Sequence, residues 1–538
     1  MLFDILYSGD FFVPLHLESK HQAMFKKSST NKQFDLFNSP SDLMCRRESR
    51  YYDDPSAWHN KFHREVTSNI DEELFRPLFA DEREDKKDGR PNAPIRILVA
   101  MSILKEGSGC SDEALFENCC YNMLYRRALG MVTLEEQCPS IDSYYKLRRR
   151  MAEYEEKTGI DLFDKCFKGI THKQAQEYRI SGKAVRMDSK LISSNIAWYS
   201  RYEIIHETFC KQVSKPEAER IEDQMIREQA FEFLGEDAQK TVYRTDSETM
   251  AKRLLTLGLV IDHILTHCQP DEKALLRRVF SEQYEKAEDG TVSVRDKKHV
   301  SAKSVQNPND PDAEYRGKAG KKVKGFSTNI TETCDEEDKP SLITNVDVEG
   351  ATTADNTYVE SGVKGSEEVT GNKVETLHSD GAYQSEDNRK FAEENGIDFV
   401  ANGIQGKPSR FDLEQTDEQT LEVTDKQTGE VINAIPVKDD KWKILVTNKE
   451  GKKSWRYFGR DQIEKAKTRR EVESIPFDER KKRNNVEATI FQYCFHTRNN
   501  KTRYRTLFKH KLQAVARCAW INVRRLLLFD LKMALQRA

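Results

Sequence analysis

The chain has 538 residues, of which 37% are hydrophobic and 33% are charged, so it is long enough for two or three domains with their own cores. No apolar run reaches the roughly 20 residues of a bilayer-crossing helix, which excludes a helical membrane span. The first residues lack a basic region, so we expect no secretory signal. The 11 cysteines are odd in number and scattered, which indicates reduced thiols and a cytoplasmic protein.

The charge of the chain is unevenly distributed. The net charge of −3 argues against a nucleic-acid partner, but residues 481–538 contain 14 lysines and arginines against two acids, a local charge of +12. A segregated basic tract is typical of phosphate binding. The alternative is a solvated basic helix that binds no ligand.

The N-terminal part of the chain has a helical pattern. Residues 1–55 are polar, and we expect a peripheral segment there. Apolar spacing and capping residues predict an all-α domain over residues 56–180. Its third predicted helix carries Arg148, Arg149 and Arg150, and compact helices with a basic edge are typical of modules that dock on DNA. An ordinary helical bundle fits the same pattern equally well.

The C-terminal part, residues 181–538, places three acidic residues on predicted elements of an α/β domain. Asp188 lies in a predicted strand, Asp380 follows a second strand and precedes a glycine-containing turn, and Glu487 lies in a late helix. A carboxylate at the C-terminal end of a strand is where open α/β sheets place their chemistry. The order of these elements predicts that the acids belong to one site.

Three further patterns lie within the same part of the chain. Long amphipathic helices at about 196–300 predict a helical insertion after the first strand. Strand-like runs at about 326–333 and 342–346, joined by a charged turn, predict a hairpin. Short alternating runs at about 410–460 predict a small β insertion.

Three carboxylates that meet at one site repel one another. At about 5 Å and an effective dielectric constant near 20, each pair costs roughly 3 kcal/mol. Three pairs approach roughly 10 kcal/mol, which is comparable to the stability of a whole domain. A divalent cation would offset this cost, and ligands that are all oxygen favour Mg²⁺, with Mn²⁺ as a substitute.

The ordered motifs of the chain resemble those of bacterial insertion-sequence transposases of the DDE superfamily, and the resemblance spans about residues 58–530. The N-terminal segments are similar to the InsH-type domain of these transposases. Two later motifs, Asp380-Gly-Ala-Tyr and Arg483-x-x-x-Glu487, are similar to their second and third acidic motifs. The matching segments are 89–98, 111–115, 125–130, 139–143, 306–313, 317–321, 380–383 and 483–487.

This resemblance implies an RNase H-like catalytic domain, with a mixed sheet flanked by helices, that cleaves double-stranded DNA at the ends of the element and joins the freed 3′-hydroxyl to target DNA. Asp188, Asp380 and Glu487 would be the catalytic residues and the ligands of Mg²⁺. Arg483 would hold a phosphate or orient a carboxylate, and a structural salt bridge is the equal alternative. The resemblance also implies at least a homodimer on paired DNA ends.

The chain departs from these relatives at three positions. They commonly carry Gly where this chain has Ala382. Many of them carry Tyr and Lys where this chain has Arg480 and Cys494. The phosphate contact of that Lys would then pass to Arg498, Lys501 or Arg503. We interpret Tyr383 as a core residue in preference to a DNA contact.

Two other functions remain open from the sequence. The first is a metal-dependent nuclease of RNase H-like fold that cuts DNA without joining it. The second is a catalytically silent DNA-binding protein derived from a transposase.

Overall fold

The computed structural model describes residues 25, 27–28, 40–79, 92–318, 320–334, 336–402, 409–417, 420–437, 441–447 and 453–537. Within the chain, contacts define two compact units. The first contains Met1–Ser102 and Asp112–Cys166, and the second contains Ile103–Ser111 and Phe167–Ala538. Most of the predicted peripheral segment, and the first residues of the motif that starts at Gly89, lie outside the described residues.

The described residues form 19 α-helices and 13 strands, besides short 3-10 helices. The helices are α1 (Arg46–Asp53), α2 (Trp58–Glu65), α3 (Ile95–Ser108), α4 (Asp112–Tyr121), α5 (Met123–Ala128), α6 (Ile141–Thr158), α7 (Leu162–Glu177), α8 (Arg201–Gln212), α9 (Lys215–Glu219), α10 (Gln224–Leu234), α11 (Ala238–Arg244), α12 (Ser247–Thr266), α13 (Ala274–Gln283), α14 (Val359–Thr370), α15 (Glu386–Asn395), α16 (Arg460–Ser474), α17 (Phe477–Lys481), α18 (Asn484–Cys494) and α19 (Leu507–Arg537). The strands are β1 (Ala184–Ser193), β2 (Tyr284–Lys286), β3 (Val292–Val294), β4 (Glu314–Lys318), β5 (Lys321–Thr333), β6 (Ile343–Gly350), β7 (Thr376–Ser379), β8 (Asp398–Ala401), β9 (Phe411–Gln415), β10 (Leu421–Asp425), β11 (Val431–Val437), β12 (Lys441–Thr447) and β13 (Lys453–Gly459).

Helices are the regular elements of the first unit among its described residues. Helix α3 begins at Ile95, directly after Pro94, and its apolar side chains are buried. The third predicted helix is α6, where Ser140 Oγ accepts a hydrogen bond of 3.2 Å from Ser143 N. Gly159 ends this helix with a φ of 70°, a left-handed conformation that favours glycine. The described residues of this unit thus form helices and no strands.

The second unit is built on a mixed sheet in which β1 is central. Strand β1 pairs with β5 in the antiparallel direction and with β7 in the parallel direction. Strand β8 continues the sheet beyond β7, again in parallel. On the other side, β5 pairs antiparallel with β6 over Phe326–Glu332 and with β4 over Lys321–Gly325. The chain thus contains a mixed sheet within an α/β arrangement, as the sequence predicts.

The predicted hairpin is the antiparallel pair β5–β6, and its existence is confirmed. Its first strand is longer than expected, because β5 begins at Lys321 instead of Phe326. The preceding segment, for which the sequence predicted no strand, also forms β4 and pairs with β5. Glycine and lysine residues hide this strand from the sequence pattern, since β4 gains its order from the backbone ladder and not from an apolar face.

Helices cover both faces of the sheet. Helix α14 packs against the face that carries Met187 and Thr331, and a Cβ at Gly362 would lie 2.5 Å from Thr331 Oγ1. This close approach requires glycine at that position. Helices α18 and α19 cover the opposite face, where Asn522 Oδ1 accepts a hydrogen bond of 2.8 Å from Ile343 N.

Two groups of elements are inserted into this arrangement. Helices α8–α13 lie between β1 and β4 and bury a core that includes Phe209 and Leu257. A small antiparallel pair, β2–β3, lies in the same stretch, where the sequence predicts only helices. Strands β9–β13 form a separate antiparallel sheet, in which Trp442 and Phe458 pack with Ile463 of α16. Among the described helices, none has the length and apolar character needed to cross a bilayer.

Candidate active site

Asp188 lies on the central strand β1, at a point where the parallel neighbour β7 ends. Its Oδ1 accepts a hydrogen bond of 2.9 Å from Ser189 N, and its Oδ2 accepts one of 3.1 Å from Arg483 Nη2. The Asp188 side chain is 16% exposed. It is therefore held by its own backbone and by one arginine, at the edge of solvent.

The parallel register of β1 and β7 brings Asp380 to the level of Asp188. Arg186 pairs with His378, and each acid follows its paired residue by two positions. Because neighbouring strands lie about 4.8 Å apart, the two carboxylates begin from adjacent backbone positions. Asp380 Oδ1 accepts a hydrogen bond of 2.6 Å from Ala382 N, which fixes the turn after the strand.

The surroundings of Asp188 shift its pKa in opposing directions. Burial raises the pKa of Asp188 above its usual value, and the charge of Asp380 raises this pKa further. The Arg483 guanidinium and the Ser189 N–H oppose these effects. The strand register and the direction of this effect agree that Asp380 lies near Asp188.

Glu487 joins the site through α18. Arg483 lies one helical turn before it, and Arg483 Nη1 is 3.3 Å from Glu487 Oε1. The same guanidinium binds Asp188, so a single arginine connects the first and third of the predicted acids. Glu487 is 60% exposed and Arg483 only 14%, so the helix presents the acid to solvent and the arginine to the sheet.

The arrangement meets only part of what a divalent cation requires. In the part of the chain that the structure describes, no group of three or more His, Cys, Asp or Glu side chains is arranged to hold a metal ion. The donors at the site are nevertheless carboxylate oxygens, the ligand type that Mg²⁺ prefers. Arg483 supplies positive charge between Asp188 and Glu487, so ion binding would require the guanidinium to move aside.

A buried ion network beneath the site holds α18 against the sheet. Glu332 on β5 accepts a hydrogen bond of 2.6 Å from Arg186 Nε on β1 and one of 2.7 Å from Thr489 Oγ1 on α18. Arg525 Nη2 of α19 lies 2.8 Å from the second oxygen of Glu332. Arg186 Nη1 also donates to Lys482 O, at 3.1 Å, directly before Arg483.

The sequence analysis did not single out this network. A signal was available for Arg186, which is a charged residue between the apolar Val185 and Met187 of a strand pattern. A buried charge needs a partner. The sequence did not indicate which residue that partner would be.

The three arginines predicted to form a basic edge on α6 have different environments. Arg148 is buried, with its guanidinium carbon 5.3 Å from the centre of the Tyr144 ring. Arg150 lies 4.8 Å from the centre of the Phe79 ring. Arg149 is 70% exposed. Of the three, Arg149 is thus the one displayed to solvent.

The basic residues after α18 also differ in environment. Arg498 is exposed. Lys501 Nζ donates to Ile196 O at 3.2 Å, and Arg503 Nη1 donates to Gly109 O at 3.0 Å. Arg517 is buried in α19 and binds backbone carbonyl groups. The +12 tract therefore includes interior arginines that are used by the fold.

Two positions near the acidic residues complete the description. Tyr383 is buried, and its hydroxyl donates a hydrogen bond of 2.8 Å to Asn329 Oδ1, which confirms the core interpretation. Burial raises the pKa of the Cys494 thiol, and Lys190 opposes this effect. Lys190 therefore brings a positive charge close to Cys494, a feature that the sequence analysis missed.

Comparison with known proteins adds one finding. Residues 51–150 match a family model described as a transposase domain (DUF772). Neither the curated proteins nor the solved structures yield a match to the chain. The matched residues cover the helical N-terminal part of the chain and do not include the acidic residues described above. The similarity of residues 51–150 to a transposase domain supports a transposase-like function for this chain.

Proposed function

We propose that this chain is a DDE transposase that cleaves DNA at the ends of an insertion sequence and transfers the freed strand to target DNA. The observation that carries the proposal is the connection of Asp188 and Glu487 through Arg483, with Asp380 at the end of the strand beside β1. The three acids come from distant parts of the chain. The DUF772 match in the helical N-terminal part supports the same function.

The proposal includes an RNase H-like fold for the catalytic domain. Its support is the mixed sheet, with antiparallel strands on one side of β1 and parallel strands on the other. Helices on both faces agree with this fold. Asp380 directly follows the C-terminal end of β7, which is the usual location of active-site residues in open sheets, and Asp188 lies beside it within β1.

In this proposal Asp188, Asp380 and Glu487 would hold Mg²⁺, with Mn²⁺ as a substitute. Bound there, the metal would neutralise charge at the phosphodiester and activate the attacking oxygen. The backbone of the chain orients two of these carboxylates. The Ser189 N–H fixes Asp188, and the Ala382 N–H fixes Asp380.

Arg483 has two proposed roles at this site. Without a bound cation it compensates the charges of Asp188 and Glu487. If the carboxylates bound a cation, the guanidinium would be free to bind two oxygens of a phosphate group in a bidentate way. Lys190, Arg498, Lys501 and Arg503 would add phosphate contacts, and two copies of the chain would act on paired DNA ends.

The experiment uses a supercoiled plasmid that carries the inverted repeats flanking the reading frame. The full-length chain should cleave at the repeat ends and produce joined products in Mg²⁺. Asp380→Asn should bind the same DNA and give neither product. Asp387→Asn is the matched control, because it removes an exposed acid from the adjacent helix α15 and should leave both products unchanged.

Three outcomes would contradict the proposal. Full cleavage by Asp380→Asn would remove this residue from the chemistry. Cleavage by the wild-type chain without joined products would favour a nuclease. Binding without cleavage by the wild-type chain would favour a silent DNA-binding protein.

A further inference from the structure

The hairpin formed by β4 and β5 carries concentrated positive charge at an edge of the central sheet. Between Tyr315 and Gly325 the chain has five basic residues and no acid; they are Arg316, Lys318, Lys321, Lys322 and Lys324. Lys318 lies directly opposite Lys321 across the hairpin. Like charges at opposed positions destabilise a strand pair. A bound anion at the tip of the hairpin would offset this repulsion.

The fold itself uses two of these five residues. Arg316 Nη1 donates hydrogen bonds of 3.2 Å to Ala351 O and 2.8 Å to Thr353 O. Lys324 is buried, and its ammonium group lies 5.0 Å from the centre of the Trp198 ring. These contacts hold the base of the hairpin in place, and neither of them involves Lys321 or Lys322 at its tip.

The remaining three lysines are displayed to solvent. The side chain of Lys318 is 52% exposed, and Lys321 and Lys322 are also exposed. Neither Lys321 nor Lys322 forms an ion pair with an acid among the residues that the structure describes. Because side chains alternate along a strand, Lys322 points to the face opposite that of Lys318 and Lys321. The tip thus presents positive charge in two directions.

A short chain of hydrogen bonds connects this tip to the candidate active site. Lys318 Nζ lies 3.1 Å from Asp355 Oδ2, and Asp355 Oδ1 accepts a hydrogen bond of 3.0 Å from Ser189 Oγ. Ser189 in turn donates its N–H to Asp188 at 2.9 Å. The hairpin is therefore positioned beside the first acidic residue by contacts within the same unit.

We propose that Lys318, Lys321 and Lys322 bind the phosphate backbone of duplex DNA and guide it toward Asp188. This inference rests on the proposed function and names a contact surface for its substrate. Duplex DNA carries one negative charge for about every 1.7 Å of helix axis, which complements three lysines on one hairpin tip. Asp355 orients Lys318, so that DNA bound at the tip runs toward the carboxylates.

The test measures how the affinity of the full-length chain for linear duplex DNA of unrelated sequence depends on salt concentration, without Mg²⁺. The variant replaces all three lysines with glutamine: Lys318→Gln, Lys321→Gln and Lys322→Gln. The slope of log affinity against log salt should decrease by about 0.9 for each lost phosphate contact, or about 3 in total.

The matched control replaces Lys297, Lys298 and Lys303 with glutamine, since these exposed lysines belong to the same unit and carry the same total charge. Its salt slope should equal that of the wild-type chain. A slope that is unchanged in the hairpin variant, or reduced equally in the control, would overturn the inference.

A variant that keeps the three positive charges distinguishes a lost DNA contact from a structural defect. Replacing the same three hairpin lysines with arginine should retain the wild-type slope. Loss of the slope in this variant as well would assign the effect to a structural defect and overturn the inference.

The binding readout is also independent of strand cleavage. If the glutamine variant keeps the wild-type salt slope while the wild-type chain cleaves DNA normally, this inference is overturned and the proposed function stands. A reduced slope in the glutamine variant, together with a wild-type chain that does not cleave, supports the DNA contact and overturns the proposed function.

Discussion

The guanidinium of Arg483 donates a hydrogen bond of 3.1 Å to Asp188 Oδ2, although the two residues are 295 positions apart in the chain. This contact attaches the start of α18 to the central strand. Since Arg483 also pairs with Glu487, one side chain determines how close the first and third acids lie. The stability of the site without a cation therefore depends on this arginine.

The first prediction concerns Arg483→Gln. Removal of the guanidinium leaves Asp188 and Glu487 without their counter-charge, which should lower the free energy of unfolding by about 1–3 kcal/mol in the absence of Mg²⁺. Mg²⁺ should then raise the melting temperature of the variant more than that of the wild-type chain, since the ion no longer competes with the arginine. Thermal unfolding with and without Mg²⁺ measures both effects.

Arg149→Gln is the control for this measurement, because it removes an exposed arginine of α6. Its response to Mg²⁺ should equal that of the wild-type chain. An equal response in Arg483→Gln would show that the arginine and the ion do not share the site.

The second prediction concerns the buried network around Glu332. Burial raises the pKa of this carboxyl group, but Arg525 and Arg186 together bring it below its usual value. Glu332→Gln leaves both arginines without a buried counter-charge, so the free energy of unfolding should fall by about 3–5 kcal/mol. Urea unfolding at neutral pH measures the loss.

The same network gives a direction for the pH dependence of stability. Because the pKa of Glu332 is lowered by folding, its contribution is present above the unfolded value of 4.5 and is lost as the pH falls below it. Glu386→Gln, which changes an exposed acid on α15, should unfold like the wild-type chain. Equal stability of the two variants would contradict the role assigned to the network.

The third prediction concerns His510, which is buried against the Phe326 ring with a centre-to-centre distance of 5.0 Å. Burial lowers the pKa of His510 to about 3. The unfolded chain binds a proton at this residue below a pH of about 6.5, and the folded chain does not. Stability should therefore fall as the pH decreases from about 6.5, by at most about 1.4 kcal/mol for each pH unit.

His510→Gln removes this titration. The slope of the free energy of unfolding against pH, between about pH 6.5 and pH 5, should therefore be smaller in the variant by the contribution of about one proton. Urea unfolding at several pH values measures the slope. The matched control is His299→Gln, which changes an exposed imidazole. A variant slope equal to that of the wild-type chain would contradict the prediction.

The helices of the first unit and the hairpin β5–β6 could be predicted because local signals determine them. Apolar spacing after Pro94 and the Ser140 cap mark helices, and a charged turn separates the two strands. Strand β4 could not be predicted in this way. Its order comes from hydrogen bonds to β5, and its lysines and glycines are not typical of a strand.

The local sequence also could not predict which of the basic residues are buried. Arg148 and Arg149 are adjacent and chemically identical, yet one is buried and the other is 70% exposed. Helical periodicity separates such neighbours by about 100°, but only packing decides which of them faces the interior. The same reason explains why Arg517 lies inside the protein although it belongs to the basic tract.

The amino-acid sequence alone determined the order of the three acids, the kinds of element that carry them and the helical character of the N-terminal unit. The tertiary structure decided the neighbours of each acid. Pairing of β1 with β7 places Asp380 level with Asp188, and the Glu332 network holds α18 where Arg483 can reach both Asp188 and Glu487. Strand register and helix packing are relations between distant segments, and no local pattern of residues specifies them.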